Sequence, residues 1–308
     1  MKLYQDYIFD LYGTLVDIRT DEEQPLLWNK MCLLYGGYGA VYLPEELHVL
    51  YKRLVKEKEE HAKEDCARKA SIKEECVREA SREEEHVREV NKEEHTREAG
   101  IKEEHIKEKS TENQGGSQNC SSHRKLYAHE SYPEIPLEDV FREIYLARGI
   151  EPSDELVTHT GQMFRALSTR HIRLYAGAKE LLCRLREAGR GVYLLSNAQR
   201  IFTERELRFL QIEDCFDGIL ISSDYGVKKP DERFFRILLE KYRIMPECAL
   251  MIGNDLDSDI AAGAKTVGMD TFYIHSGISP KTGRKVDADY MMRKMNLKSL
   301  QKRLLSEQ

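Results

Sequence analysis

Long apolar runs are absent from this sequence of 308 residues. None approaches the ~18 residues that a helix needs to cross a bilayer, so no membrane partner is expected. A basic excess is missing too. Lys and Arg total 48 against 54 Asp and Glu, and the formal net charge is -6. A general nucleic-acid binder would normally be basic, and that class is set aside. The seven cysteines are an odd number with no Cys-x-x-Cys pair, which argues against a disulfide frame or a zinc knuckle. Met1 to Asp6 lacks the apolar core of a secretory leader. Reduced thiols and no leader point to the cytoplasm. The length suffices for one large or two medium domains.

Hydrophobic patterning divides the chain into a split core and an insertion. Tyr7-Ile8-Phe9 reads as a buried strand that Gly13 ends. Asp21 to Tyr35 and Pro44 to Leu54 then carry helix-spaced apolar residues. An abrupt change follows. Between Lys56 and Lys109 more than half of the residues are charged and none is aromatic, so this stretch has almost nothing to bury. It also repeats internally, with Glu59-Glu60-His61, Glu74-Glu75-Cys76, Glu84-Glu85-His86, Glu93-Glu94-His95 and Glu103-Glu104-His105. The spacing is near ten, which drifts around a helix and puts the histidines on no single face. A metal-binding tract is therefore disfavoured against a solvated low-complexity insert. Its Glu, Lys, Arg and Ala would allow helix. Thr111 to Ser122 reads as a linker.

Helical periodicity returns at Leu137 to Ala147 and Glu155 to Leu167. From Tyr175 onward, strands alternate with helices. The predicted strands are Val192 to Leu195, Gly218 to Ile221, Ala249 to Ile252 and Thr271 to Ile274, with Tyr290-Met291-Met292 as a final edge. Helices fall at Lys179 to Ala188, Phe202 to Leu210, Phe234 to Tyr242, Ser258 to Thr266 and Leu297 to Leu304. Such alternation calls for a doubly wound parallel sheet of the Rossmann-like α/β class.

Chemistry-bearing residues follow the strands. Asp10-Leu11-Tyr12-Gly13-Thr14 follows the first, and Ser196-Asn197 follows Val192 to Leu195. Lys229-Pro230-Asp231 comes after Gly218 to Ile221, and Gly253-Asn254-Asp255 ends the Ala249 strand, with Asp257 and Asp259 close behind. In a parallel sheet these stretches meet at one edge. An Asp carboxylate can attack phosphorus or an activated carbon. Lysine and hydroxyl groups can bind anionic oxygens and balance growing charge. Clustered carboxylates favour a hard cation with oxygen ligands, above all magnesium. Each stretch alone would read as a turn, a cap or a helix start; their conjunction reads as a cleft.

This order resembles the haloacid dehalogenase-like hydrolase superfamily, over Lys2 to about His275 with the charged insert excluded. The resemblance implies a Rossmann-like core, 1–16 with 175–308, and a mostly helical cap inserted after the first strand, 17–174, which contains the charged insert and linker at 56–122. It makes Asp10 the nucleophile, with Thr14 donating into the same pocket. Ser196, Asn197 and Lys229 line the pocket, where Ser196 and Lys229 would hold the attacked group. Asp255 and Asp259, with Asp10 and the Tyr12 backbone carbonyl, would form a magnesium site. The family's fourth motif most often begins Gly-Asp, and the matching position here is Asn254.

Tyr12 is the larger departure. The family's phosphatases carry a second Asp there, which protonates the leaving alkoxide. Tyr at this position looks like the 2-haloacid dehalogenases, which use no metal. The expected activity is magnesium-dependent hydrolysis of a small phosphate ester through an aspartyl-phosphate. The alternatives are a metal-independent 2-haloacid dehalogenase and a non-catalytic relative that binds a phosphorylated ligand. Arg19 and the Arg170-His171-Ile172-Arg173 group lie close to the junctions of cap and core and read mainly as surface charge. Trp28, Tyr35 and Tyr38 read as cap core.

Overall fold

The computed structural model describes residues 1–68, 132–260, 262–281, 283 and 285–306. Most of the charged repeat tract and the whole of the Thr111 to Ser122 linker lie outside them. The chain forms two compact units, Met1–Lys63 with Glu130–Gln308, and Glu64–His129. Of the second, the described residues 64–68 are helical.

The centre of the first unit is a parallel sheet of six strands. These are β1 (Asp6–Phe9), β4 (Gly191–Ser196), β5 (Gly218–Ile221), β6 (Ala249–Gly253), β7 (Asp270–Ile274) and β8 (Tyr290–Met292). Their order is β5-β4-β1-β6-β7-β8. All six coincide with the apolar runs read from the sequence. Side chains alternate across a strand, and β1 shows it. Tyr7 and Phe9 join one core cluster, and Ile8 joins the other. The first face is covered by α5 (Ala178–Glu187) and α9 (Leu297–Leu305), through Leu181, Leu182, Leu185, Leu300 and Leu304. The second is covered by α7 (Glu232–Tyr242), through Phe234, Phe235 and Leu238. Full burial of each such side chain stabilises by roughly 1.5–3 kcal/mol. Continuous apolar strands are what a sheet buried on both faces requires.

A helical insertion follows β1. Its members are α1 (Pro25–Gly37), α2 (helical over 44–63), α3 (Leu137–Leu146) and α4 (Asp154–Ser168). They share an aromatic core of Trp28, Tyr35, Tyr51, Phe141, Tyr145 and Phe164, which also takes in Ile201 and Phe202 of α6 (Arg200–Phe209). Trp28 and Tyr35 are buried as expected, whereas Tyr38 is half exposed and makes an edge contact with Tyr145.

Two features differ from the sequence reading. The insertion is bounded by an antiparallel pair, β2 (Val16–Thr20) and β3 (Thr169–Leu174). Short strands with charged outward residues give little apolar signal. This pair also absorbs the basic group: Arg170 bonds Asp21, while His171 and Arg173 both bond Asp17. Arg19 is exposed. The helix expected at Ser258 to Thr266 is two pieces, a π-helical turn at Leu256–Ile260 and a short helix α8 at Ala262–Thr266. No helix among the described residues is long and apolar enough to cross a membrane.

Candidate active site

Strand order reverses at β1, with β4 on one side and β6 on the other. In open α/β sheets the crevice beyond the carboxyl ends of the strands at that point holds ligands. Asp10 is the first residue past β1, and its amide donates to the Ile252 carbonyl of β6 at 2.9 Å. The turn after it depends on Gly13, whose φ is +88°. A Cβ there would lie 2.2 Å from Asn254 Nδ2. Gly13 therefore serves both the left-handed turn and the close approach of the β6 loop. Gly13→Ala should cost about 1–3 kcal/mol from backbone strain alone, plus the clash. Thermal unfolding should show a Tm drop of several degrees, and an unchanged Tm would contradict this packing.

Lys229 reaches the crevice from the loop after β5. Its ammonium donates to Asp10 Oδ1 at 2.8 Å, Asp259 Oδ1 at 2.7 Å and the Leu195 carbonyl at 2.8 Å. Burial is nearly complete: Lys229 is 2% exposed, Asp259 1% and Asp10 7%. Burial alone would pull the Lys229 pKa down, but the two carboxylates hold it above the ordinary lysine value. Burial pushes Asp259 up, against the pull of Lys229 and with a further push from Asp10. Two carboxylates thus share one buried cation. Thr14 Oγ1 donates to Asp10 Oδ2 and also reaches Asn254 Oδ1, each at 3.2 Å. Asp10 is oriented from both oxygens.

Asn197 locks the lysine loop. Its Oδ1 accepts from the Lys229 amide at 2.8 Å, and its Nδ2 donates to the Lys229 carbonyl at 2.9 Å. Ser196, the last residue of β4, is fully buried, and its hydroxyl has no partner among the described residues. It follows Leu195, whose carbonyl anchors the Lys229 ammonium.

The β6 loop corrects the simplest picture of an acidic cluster. Asp259 Oδ2 accepts the amides of Asn254 and Asp255 at 3.1 and 3.0 Å. Asp255 Oδ1 accepts the amides of Asp257 and Ser258 at 2.9 and 3.4 Å. The loop's own donors and Lys229 offset these charges, so their proximity does not by itself demand a cation. Asn254, not Asp255, is the buried side chain that meets Thr14.

Tyr12 turns toward α6. Its hydroxyl bonds Glu206 Oε2 at 2.5 Å and Thr203 Oγ1 at 3.1 Å. Glu206 Oε1 in turn accepts from Arg165 of α4 at 2.6 Å. Burial first, then the Glu206 carboxylate, push the Tyr12 phenol well above its usual pKa, so it stays protonated. Beside this group opens a cavity of about 390 Å³, lined by Arg165, Ile172, Phe202, Arg205 and Glu206 among others. Glu206 and Arg165 had no signal in the sequence reading. The only available hint was Thr203 and Glu206 one turn apart on the helix after Ser196-Asn197.

The chain is similar to several known proteins. The chain is 36% identical over 107 residues to glyceraldehyde 3-phosphate phosphatase of Pyrococcus abyssi, covering 35% of this chain and 44% of that protein. It is 30% identical over 144 residues to phosphoserine phosphatase of Thermus thermophilus, covering 47% and 56%. The chain thus spans about half the length of the curated relatives it matches. A crystal structure of a HAD phosphatase from Thermococcus onnurineus aligns with a TM-score of 0.49 at 16% identity, over 98% of this chain and 99% of that one. The model of the haloacid dehalogenase-like hydrolases matches residues 7–265. With that match over most of its length, the chain belongs to the haloacid dehalogenase-like hydrolase family.

Proposed function

We propose that this protein is a magnesium-dependent phosphatase of small phosphorylated metabolites, working through an aspartyl-phosphate on Asp10. The observation that carries this reading is the Ser196 hydroxyl, fully buried and without a partner among the described residues. Buried polar groups are nearly always satisfied. An unpaired donor next to a buried lysine suits a ligand oxygen that is itself anionic. The phosphatase names of the relatives support the same substrate class.

The residues divide the chemistry as follows. Lys229 and Thr14 hold the Asp10 carboxylate in one orientation. Asp10 attacks phosphorus, forming an O–P bond while the ester P–O bond breaks and its oxygen leaves with the bonding pair, to be protonated by solvent. The Ser196 hydroxyl donates to a phosphoryl oxygen, and the positive charge of Lys229, whose three donors hold Asp10, Asp259 and the Leu195 carbonyl, balances the charge that builds there. Water then cleaves the acyl phosphate and restores Asp10. Within the first unit, the helices α1 to α4 act as the cap, and the cavity beside Arg165 receives the organic part of the substrate.

The donors at hand suit a hard cation, since Asp10, Asn254, Asp255 and the Tyr12 carbonyl all offer oxygen. Among the described residues no group of three or more His, Cys, Asp or Glu side chains gathers as a metal site. A cation that keeps several waters and takes few protein ligands fits this set. Asp10 and the Tyr12 carbonyl would hold it with Asn254 or Asp255, while Asp259 holds the loop and Lys229. Bound magnesium would add Lewis-acid stabilisation of the phosphoryl oxygens.

Tyr12 supports a second reading, hydrolysis of a 2-haloacid, because halide leaves without a proton. The two are separated by phosphate and halide release from phosphate monoesters and 2-haloacids, each with magnesium and with chelator. Phosphate release should require magnesium. It should be faster on aryl and acyl phosphates than on alkyl ones, since no carboxylate stands at position 12; acid–base help is typically worth ~100- to 10,000-fold. Halide release in chelator, with no phosphate release, would overturn the phosphatase reading.

A further inference from the structure

Residues 132–137 lead into α3, and they lace together the two loops that carry Asn197 and Lys229. The backbone pairs antiparallel with the lysine loop at Pro133 and Val227. The Lys228 amide donates to the Tyr132 carbonyl at 2.9 Å, and the Glu134 amide to the Gly226 carbonyl at 3.1 Å. The Glu134 carboxylate then reaches both loops. Oε1 accepts from Gln199 Nε2 at 3.2 Å, Oε2 accepts from Ser222 Oγ at 3.0 Å, and the Lys228 ammonium lies 3.8 Å away. Gln199 closes the knot, donating to the Ile135 carbonyl at 2.9 Å and accepting from the Leu137 amide at 3.0 Å. Ser222 links onward to Ala198, whose amide it accepts at 2.9 Å.

A surface charge would not be arranged this way. The Glu134 side chain is only 12% exposed, and besides the Ile135 backbone it bonds Gln199 and Ser222, which lie on the segments that follow β4 and β5 and carry Asn197 and Lys229. Gln199 is two residues from Asn197, and Lys228 is next to Lys229. We infer that Glu134 is a positioning residue, a clasp by which the helical insertion fixes the Asn197 and Lys229 loops in register with Asp10. It touches no reacting atom. It acts through the Asn197–Lys229 bonds, and small misplacement of a reacting group costs rate rather than binding. The inference rests on the phosphatase reading for its kinetic consequence, though not for its structural one.

The test compares Glu134→Ala, Glu134→Gln and the wild-type chain. An aryl phosphate with magnesium serves as substrate, and amide hydrogen exchange is followed over residues 226–231. Glu134→Ala should lower kcat up to ~100-fold with KM little changed, and exchange over 226–231 should speed up. Glu134→Gln keeps an acceptor for Ser222 and should restore most of kcat. A wild-type protein that hydrolyses no phosphate ester overturns the proposed function alone. Unchanged exchange over 226–231 in Glu134→Ala overturns the clasp alone. So does an active wild type whose Glu134→Ala variant stays within about twofold of its kcat.

Discussion

Asp10→Asn should abolish turnover, on the order of 10⁵-fold, and leave the protein as stable as before or more so. The loss follows from the chemistry, because an amide cannot form the acyl phosphate. The stability follows from the charges. Asp10 and Asp259 share the single buried Lys229, and Asp10 raises the Asp259 pKa. Neutralising Asp10 leaves a balanced pair that still keeps the Leu195 carbonyl as a third partner. Residues held for function commonly cost stability in this way. Steady-state assay and thermal unfolding of one preparation check both parts. Retained turnover would remove Asp10 as nucleophile, and a fall in Tm would show that its charge is needed by the fold.

Lys229→Met should be the most damaging single change. It leaves two buried carboxylates facing each other without a cation, and breaking such a pair typically costs about 3–5 kcal/mol. The damage should depend on pH. A carboxyl whose folded pKa is raised stabilises the fold fully below its unfolded pKa, and that contribution disappears as pH rises through the folded value. Asp259 is already raised, to about 7 from 3.8, and losing Lys229 raises it further. The variant should therefore melt higher at about pH 5 than at about pH 8. A melting temperature equal to wild type at both would mean that Lys229 is not the counter-ion the geometry makes it. Activity should be lost at either pH.

How far the sequence reveals this site depends on how local each signal is. The six strands of the sheet are continuous apolar runs bounded by polar turns, and each was legible. The meeting of Asp10 and Lys229 at the crevice and the place of Ser196 at the end of β4 were legible because each follows such a run. β2 and β3 were not, since their pairing is short and much of each strand is charged. That Asn254 rather than Asp255 meets Thr14 could not be read either. It depends on the missing Cβ of Gly13, which admits Asn254, and on Asp255 turning back onto its own loop. Tyr12 stood out as odd, but its partner Glu206 is 194 positions away and Arg165 lies on another helix. Glu134 sits in an unremarkable Pro-Glu-Ile stretch, and only the folded chain brings Gln199, Ser222 and Lys228 to it.

The central claim is that Asp10 carries the phosphoryl group. The most direct measurement is mass spectrometry of peptides from protein mixed with magnesium and an aryl phosphate and quenched in acid during turnover. The account predicts a phosphoryl adduct on the peptide containing Asp10, absent in Asp10→Asn. Phosphate release with the adduct on another residue, or with no adduct on a peptide shown to retain acyl phosphates, would contradict it.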